Sequence, residues 1–128
     1  MIELTALFPV FVTDKLGELK AFYEAQFGFE AVFFDASFYL HLVHKSTGVQ
    51  LGFLMPAHAS QPEFLHAQAA RDGMVISFEV ADAKAAFATA KDAGLDIVMQ
   101  YTEEAWGQCH FMVRDPQGFV IDLVQYVE

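Results

Sequence analysis

The sequence contains a single cysteine and few basic residues, and both shortages exclude classes of function. Cys109 alone cannot form an intramolecular disulfide, and without a second cysteine there is no thiolate cluster for a zinc site. Seven Lys and Arg stand against 17 Asp and Glu, which gives a formal net charge of −10. Such a chain repels the phosphate backbone on which nucleic-acid affinity depends. We therefore expect a cytoplasmic protein that has no nucleic-acid partner.

The sequence also lacks the features of a targeting or membrane segment. Its opening residues, MIELTALFPVFVTDK, carry Glu3 and no basic cluster, and they contain no small-residue cleavage site. No apolar stretch reaches the roughly 20 residues that a membrane-spanning helix requires. These absences predict a soluble protein without a membrane partner, whose first apolar run is a strand.

What the chain does contain is an internal repeat. The segments LFPVFVTDKLGELKAFYEAQFGFEAVF and VISFEVADAKAAFATAKDAGLDIVM share one layout, a β-rich run followed by an acid and a helical pattern. Asp14 and Asp82 are predicted to cap helices over about 14–27 and 83–93, because a carboxylate accepts hydrogen bonds from free amides of a first turn. A glycine then ends each helix, Gly28 in the first and Gly94 in the second.

Each helix is followed by a strand and then by a predicted hairpin. The hairpin turns are Lys45-Ser46-Thr47-Gly48 and Asp115-Pro116-Gln117-Gly118, and the flanking strands are predicted over 38–43, 49–54, 109–114 and 119–127. Each half therefore has the order β-α-β-β-β. We predict an α+β fold in a single domain, 1–128, in which the two modules form a curved mixed sheet around a cavity with the helices on the outer face.

The modules are expected at about 1–55 and 74–128, and the segment between them, about 56–73, is expected to be a loop with a short helix. Strand pairing decides which residues of the second module share a face. If Asp115-Pro116-Gln117-Gly118 forms a type I turn with a bulge, Met112 lies opposite Asp122 and shares its face with His110. A two-residue turn would shift this register and place Phe111 and Cys109 there instead.

Three stretches of the chain carry a resemblance to a known family. WGQCHFMVRDPQGFVIDLVQ, together with DKLGELKAFYEAQFGFE and GVQLGFL, is similar to the matching parts of the vicinal oxygen chelate superfamily. Glyoxalases, extradiol dioxygenases, fosfomycin-modifying enzymes and bleomycin-resistance proteins belong to it. The resemblance covers essentially the whole chain and implies a small-molecule ligand and a homodimer.

The resemblance also implies where a metal would be held. The four ligand positions of metal-using members correspond to Leu7, Gln50, Val75 and Asp122, and two of these side chains are aliphatic. Divalent metals in such sites require His or carboxylate ligands, so we expect no metal and no cofactor. His41 and His44 do not replace the missing ligands, because residues three apart in a strand point to opposite faces. The pattern is closest to metal-free members of the bleomycin-resistance type.

Two functions remain open from the sequence. The first is sequestration of a cationic or aromatic compound such as an antibiotic, because an indole beside carboxylates suits a planar cation. The residues expected to bind the ligand are Trp106, Gln50, Met112, Glu103, Glu104, Asp122 and His110. The second is a glyoxalase- or dioxygenase-like enzyme in which Asp122 and His110 act as an acid–base pair on a small oxygenated substrate. Asp122 is equally well explained by a structural hydrogen bond to Gln50, His110 or the backbone.

Overall fold

The structure, a computed structural model, describes residues 1–127. It contains two compact units, Met1–Ala69 and the chain from Ala70 onward, each with one α-helix and four strands. The elements of the first unit are β1 (Val10–Val12), α1 (Leu16–Phe27), β2 (Glu30–Asp35), β3 (Tyr39–His44) and β4 (Val49–Leu54). Those of the second are β5 (Ile76–Glu79), α2 (Ala83–Asp92), β6 (Asp96–Glu104), β7 (Gln108–Arg114) and β8 (Val120–Tyr126). The α+β class and the βαβββ order of both modules are confirmed.

The two units repeat one sheet topology. The strands of the first are ordered β1-β4-β3-β2 and those of the second β5-β8-β7-β6, so the hydrogen-bonded sheets are two rather than one. In each sheet the first strand of the module runs parallel to the last, and the remaining pairs are antiparallel. The internal repeat in the sequence is therefore a repeat of topology as well as of secondary structure.

Each helix covers one face of the sheet in its own unit. Tyr23 of α1 is fully buried and packs on Phe53 of β4, with ring centroids 5.7 Å apart. In the second unit Phe87 of α2 packs against Phe111 of β7 at 5.2 Å. Because side chains alternate along a strand, the residues next to Phe53 and Phe111 point to the opposite side of each sheet. We call that side, which neither α-helix covers, the helix-free face.

The two predicted helix caps have different outcomes. The Asp82 carboxylate accepts a hydrogen bond from the Ala85 amide at 3.0 Å, which confirms the cap of α2. The prediction for Asp14 is wrong: α1 begins one residue later than that cap requires, and its N-cap residue, Lys15, makes no side-chain capping hydrogen bond. Thr13 Oγ1 instead accepts a hydrogen bond of 3.2 Å from the Lys15 amide, so the chain turns before the helix starts.

The closing turn and the bridging segment fold largely as the sequence predicts. Gly118 has φ of +96°, and the Asp115 amide and carbonyl bond to Phe119 and Gly118 as the type I turn with a bulge requires. The helix expected in the bridge is a single 3-10 turn, Glu63–Leu65. Across the described residues, neither α-helix has the length and apolar character needed to span a membrane.

Candidate functional site

The pairing of β7 with β8 decides which polar side chains meet in the second unit. Met112 lies opposite Asp122, and His110 lies opposite Val124. This is the register predicted from the type I turn with a bulge, and the alternative register is excluded. His110, Met112 and Asp122 therefore share the helix-free face of the second sheet.

His110 stands between two carboxylates. Its Nδ1 lies 2.9 Å from Asp122 Oδ1, and its Nε2 lies 3.0 Å from Glu104 Oε2. His110 and Asp122 are buried, with 6% and 7% of their surface exposed, whereas 22% of the Glu104 side chain is exposed. We call these three residues the acidic cluster.

The geometry of the acidic cluster favours a charged imidazole. A carboxylate only accepts hydrogen bonds, so both ring nitrogens of His110 donate when both contacts are made, and this requires the imidazolium. Burial opposes the charge and lowers the pKa of His110, but the hydrogen bonds and charges of Glu104 and Asp122 outweigh it, so that the net pKa is raised. Two carboxylates and one imidazolium carry a formal charge of −1. The cluster therefore keeps a negative charge in a buried setting.

The structure separates Glu103 from the acidic cluster. Glu103 lies opposite Cys109 and Glu104 lies opposite Gln108, so the two consecutive carboxylates point to opposite faces of the sheet. Glu103 instead accepts a hydrogen bond of 3.4 Å from the Tyr101 hydroxyl. Of these two glutamates, Glu104 is the one placed to act together with His110 and Asp122.

Trp106 lies in the turn between β6 and β7 and is 71% exposed. Its indole N–H donates to Gln108 Oε1 at 3.1 Å. Gln108 is the cross-strand partner of Glu104, so this bond ties the indole to the end of the hairpin that carries the carboxylate. An exposed aromatic ring held near a carboxylate is suited to stacking on a planar cation.

Gln50 belongs to a separate network in the first unit. Its Oε1 lies 2.7 Å from His41 Nε2, and His41 Nδ1 lies 2.7 Å from the Tyr39 hydroxyl. The ring of Phe8 meets His41 edge-on at 4.7 Å. These residues lie on the helix-free face of the first sheet, where His41 pairs with Gly52 across β3 and β4. His44, as predicted, points to the other face, where its ring meets Phe29.

The residues present do not fit a divalent metal at the family positions. Leu7 and Val75 offer no donor atom, and both are exposed. The carboxylates of the acidic cluster contact opposite nitrogens of one imidazole, so they cannot converge with it on a single ion. In the part of the chain that the structure describes, no group of three or more His, Cys, Asp or Glu side chains is arranged to hold a metal.

Sequence reasoning missed two contacts at these sites. The bond between Glu104 and His110 depends on a bulge between Met99 and Thr102, which sets the register of β6 against β7 and has no clear sequence signal. The hydrogen bond between His41 and Gln50 could have been predicted from the sequence, because the hairpin turn at 45–48 fixes the pairing of β3 with β4.

Comparisons with known proteins agree with this topology. The structure of a glyoxalase/bleomycin resistance protein/dioxygenase from Nocardioides has a TM-score of 0.79 and 13% identity, and the match covers 100% of this chain and 87% of that one. A family enzyme of the same description from Burkholderia phytofirmans PsJN has a TM-score of 0.77 and 16% identity, with 94% and 97% covered. Lactoylglutathione lyase from Agrobacterium tumefaciens has a TM-score of 0.76 and 18% identity, with 94% and 92% covered. At these identities the likeness shows a shared fold.

Comparison with curated protein sequences gives no significant match. A sequence model of the glyoxalase/bleomycin resistance protein/dioxygenase superfamily, however, matches residues 6–123. That range includes the acidic cluster and all the helices and strands of both modules except the end of β8. The chain therefore belongs to the glyoxalase/bleomycin resistance protein/dioxygenase superfamily.

Proposed function

We propose that the protein binds a planar organic cation at the helix-free face of its second sheet and sequesters it without a resident metal. The observation that carries this proposal is the position of His110, whose two ring nitrogens contact Glu104 and Asp122. One imidazolium cannot neutralise two carboxylates, so the site retains a negative charge that a cationic ligand would offset. Members of the superfamily bind small molecules, which agrees with a ligand of this size.

Two residues divide the recognition between charge and stacking. Glu104 is the more exposed carboxylate of the acidic cluster and would approach the ligand's positive charge. Trp106, held by Gln108, would cover the flat face of the ligand. Met112, half-buried opposite Asp122, adds an adaptable apolar contact beside the charge.

The proposed absence of a resident metal is supported by the side chains at the family positions. Leu7 and Val75 have no lone pairs to donate, and Asp122 is already bonded to His110. Elemental analysis of protein purified without chelators tests this point. We expect substoichiometric metal, and one equivalent of nickel, zinc, iron or manganese that is lost in Asp122→Asn would contradict it.

A matched pair of probes tests the charge requirement. N-methylacridinium is a permanent planar cation, and acridine has nearly the same shape but is neutral at about pH 8. We expect N-methylacridinium to bind more tightly to the wild type and to quench Trp106, the one indole in the chain. Glu104→Gln should weaken its binding by about tenfold, the effect of one charged contact of roughly 1.4 kcal/mol.

Glu103→Gln is the matched control, because it removes the same charge from the adjacent residue on the other face. It should leave the affinity within about twofold of the wild type, since an exposed charge acts weakly through solvent. Equal loss in the two variants would mean that net acidity, rather than the acidic cluster, attracts the cation. Equal affinity of the wild type for both probes would overturn the proposal.

A second candidate function is metal-free acid–base catalysis. The 2.9 Å contact between His110 and Asp122 favours it, because a carboxylate that orients an imidazole is a recurrent catalytic arrangement. Against it, His110 Nε2 is bonded to Glu104 and is not free to accept a proton from a substrate. Turnover of a small oxygenated substrate that Asp122→Asn abolishes, without binding of N-methylacridinium, would favour the enzyme.

We also propose a homodimer. Strand β2 is an edge of the first sheet, and Val32, Phe33 and Phe34 along it are 42–56% exposed. An apolar edge strand is a surface that a second copy of the chain would cover. Sedimentation at micromolar concentration tests this proposal, and a 14.3 kDa particle would contradict it.

A further inference from the structure

The first unit contains a pocket that the proposed function does not use. Its volume is about 330 Å³, within the usual range for small-molecule sites. The lining residues come from β1, the turn before β3 and its first residue, the end of β4 and the bridging segment. They are Val10, Phe38, Tyr39, Leu54, Gln61 and Leu65. All of them belong to the first unit, so this site can be tested independently of the acidic cluster.

The Tyr39 hydroxyl is a polar group of a pocket residue, and the atoms around it fix its position. It lies over Gly52, where a Cβ atom would collide with it, and Gly52 pairs with the pocket residue Val10. The ring can lie flat on the sheet there only because residue 52 has no side chain. His41, from the same strand, holds the hydroxyl through Nδ1.

The hydrogen bonds around His41 determine the direction of the Tyr39 proton. The side-chain oxygen of Gln50, Oε1, lies 2.7 Å from His41 Nε2 and can only accept a hydrogen bond. His41 Nε2 therefore carries the hydrogen in this contact. In the neutral imidazole Nδ1 is then an acceptor, and the Tyr39 hydroxyl donates to it. Burial also raises the pKa of Tyr39, which keeps the phenol protonated. The Tyr39 oxygen therefore has its proton directed at His41 and retains acceptor capacity for another donor.

We infer that this pocket binds a small, neutral, planar apolar molecule that carries one hydrogen-bond donor, such as a phenol or an arylamine. The apolar side chains of the lining, Val10, Phe38, Leu54 and Leu65, contact the ring system, and the ligand's donor bonds to the Tyr39 oxygen. An ether of the same shape would be disfavoured, because it presents an acceptor to an oxygen whose proton is already used. The inference goes beyond the proposed function and concerns a different ligand class.

Two naphthalenes of nearly equal size test the donor requirement. 2-Naphthol has a hydroxyl donor, and 2-methoxynaphthalene replaces it with an ether. In equilibrium dialysis against the full chain, we expect 2-naphthol to bind about fivefold more tightly, the effect of one hydrogen bond. Tyr39→Phe keeps the ring and removes the oxygen, so it should abolish this preference while leaving the affinity for 2-methoxynaphthalene within about twofold.

A second pair of variants tests the location. Leu65→Trp fills the pocket and should weaken binding of both naphthalenes by at least about tenfold. Phe64→Trp is the matched control, since Phe64 is the preceding residue of the same 3-10 turn and is 82% exposed. It should bind both compounds as the wild type does. Circular dichroism of each variant checks that the fold is kept.

Three results at the pocket itself would overturn the inference. They are equal affinity of the wild type for the two naphthalenes, a preference that survives in Tyr39→Phe, and binding that survives in folded Leu65→Trp. A fourth result would come from the acidic cluster. Glu104→Gln should not change 2-naphthol binding. A loss there would place the compound at the acidic cluster instead, so failure of this inference is distinguishable from failure of the proposed function.

Discussion

His110 Nδ1 lies 2.9 Å from Asp122 Oδ1, across a hairpin whose turn determines that they share a face. The turn is itself stabilised by Asp115, whose Oδ1 accepts hydrogen bonds of 2.9–3.0 Å from the backbone amides of Gln117, Gly118 and Phe119. The turn sets the register of β7 against β8, so that Met112 lies opposite Asp122 and His110 lies opposite Val124. Asp122 is two residues from Val124 and therefore lies on the same face as His110. The chemistry of the second unit therefore depends on a turn at the end of the sheet.

Replacing Asp115 with Ala should lower the free energy of unfolding by about 3 kcal/mol, because three backbone amides lose a buried acceptor. Asp35 is the matched control. Its Oδ1 accepts from the amide and hydroxyl of Ser37, but both residues are exposed, so water can replace it. Asp35→Ala should cost under about 1 kcal/mol in the same urea titration. Similar losses in the two variants would show that Asp115 has no special role in the turn.

The ring of His110 should titrate above its ordinary value of 6.5. Because the folded-state pKa is raised, its contribution to stability is fully present below the unfolded value and is lost as the pH rises through the folded value. The stability difference between the wild type and His110→Asn should therefore shrink with rising pH. NMR of the ring protons measures the pKa directly, and Asp122→Asn should lower it. An unchanged pKa in that variant would show that Asp122 does not stabilise the imidazolium.

Replacing each of the two aspartates that were expected to cap helices should change the free energy of unfolding by different amounts. Asp82→Ala removes the bond to the Ala85 amide and should destabilise the protein by about 1 kcal/mol. Asp14→Ala should change stability by less than about 0.5 kcal/mol, because Asp14 is exposed and α1 begins after Lys15. Thermal unfolding of both variants is the measurement. A loss at Asp14 as large as that at Asp82 would contradict the observed helix start.

Two glycines should respond to alanine in opposite directions. At Gly52 a Cβ would collide with the Tyr39 hydroxyl and approach Val10 Cγ2 to 3.0 Å, so Gly52→Ala should cost about 1–3 kcal/mol. At Gly17, in the first turn of α1, a Cβ meets nothing within 4 Å. Gly17→Ala should stabilise the protein by about 0.5–1 kcal/mol. Stabilisation by Gly52→Ala would mean that Tyr39 does not lie over that residue.

The sequence predicted the elements well because their signals are local. The glycines Gly28 and Gly94 both have φ of +71°, as helix ends require, and β4 has the predicted bounds. The face shared by His110 and Asp122 also followed from a local turn. Asp14 was misassigned because an acid before a helix does not reveal whether the chain turns early. The partner of His110 was missed because the register of β6 depends on a bulge and on packing across strands.

The affinity for N-methylacridinium in excess EDTA tests the central claim most directly. If the acidic cluster binds the cation through Glu104, His110 and Asp122 alone, removing metals will leave the affinity of the wild type unchanged and Glu104→Gln will still weaken it. Binding that is lost in EDTA and restored by a divalent metal would contradict the account, because it would show that a bound ion is needed for ligand binding.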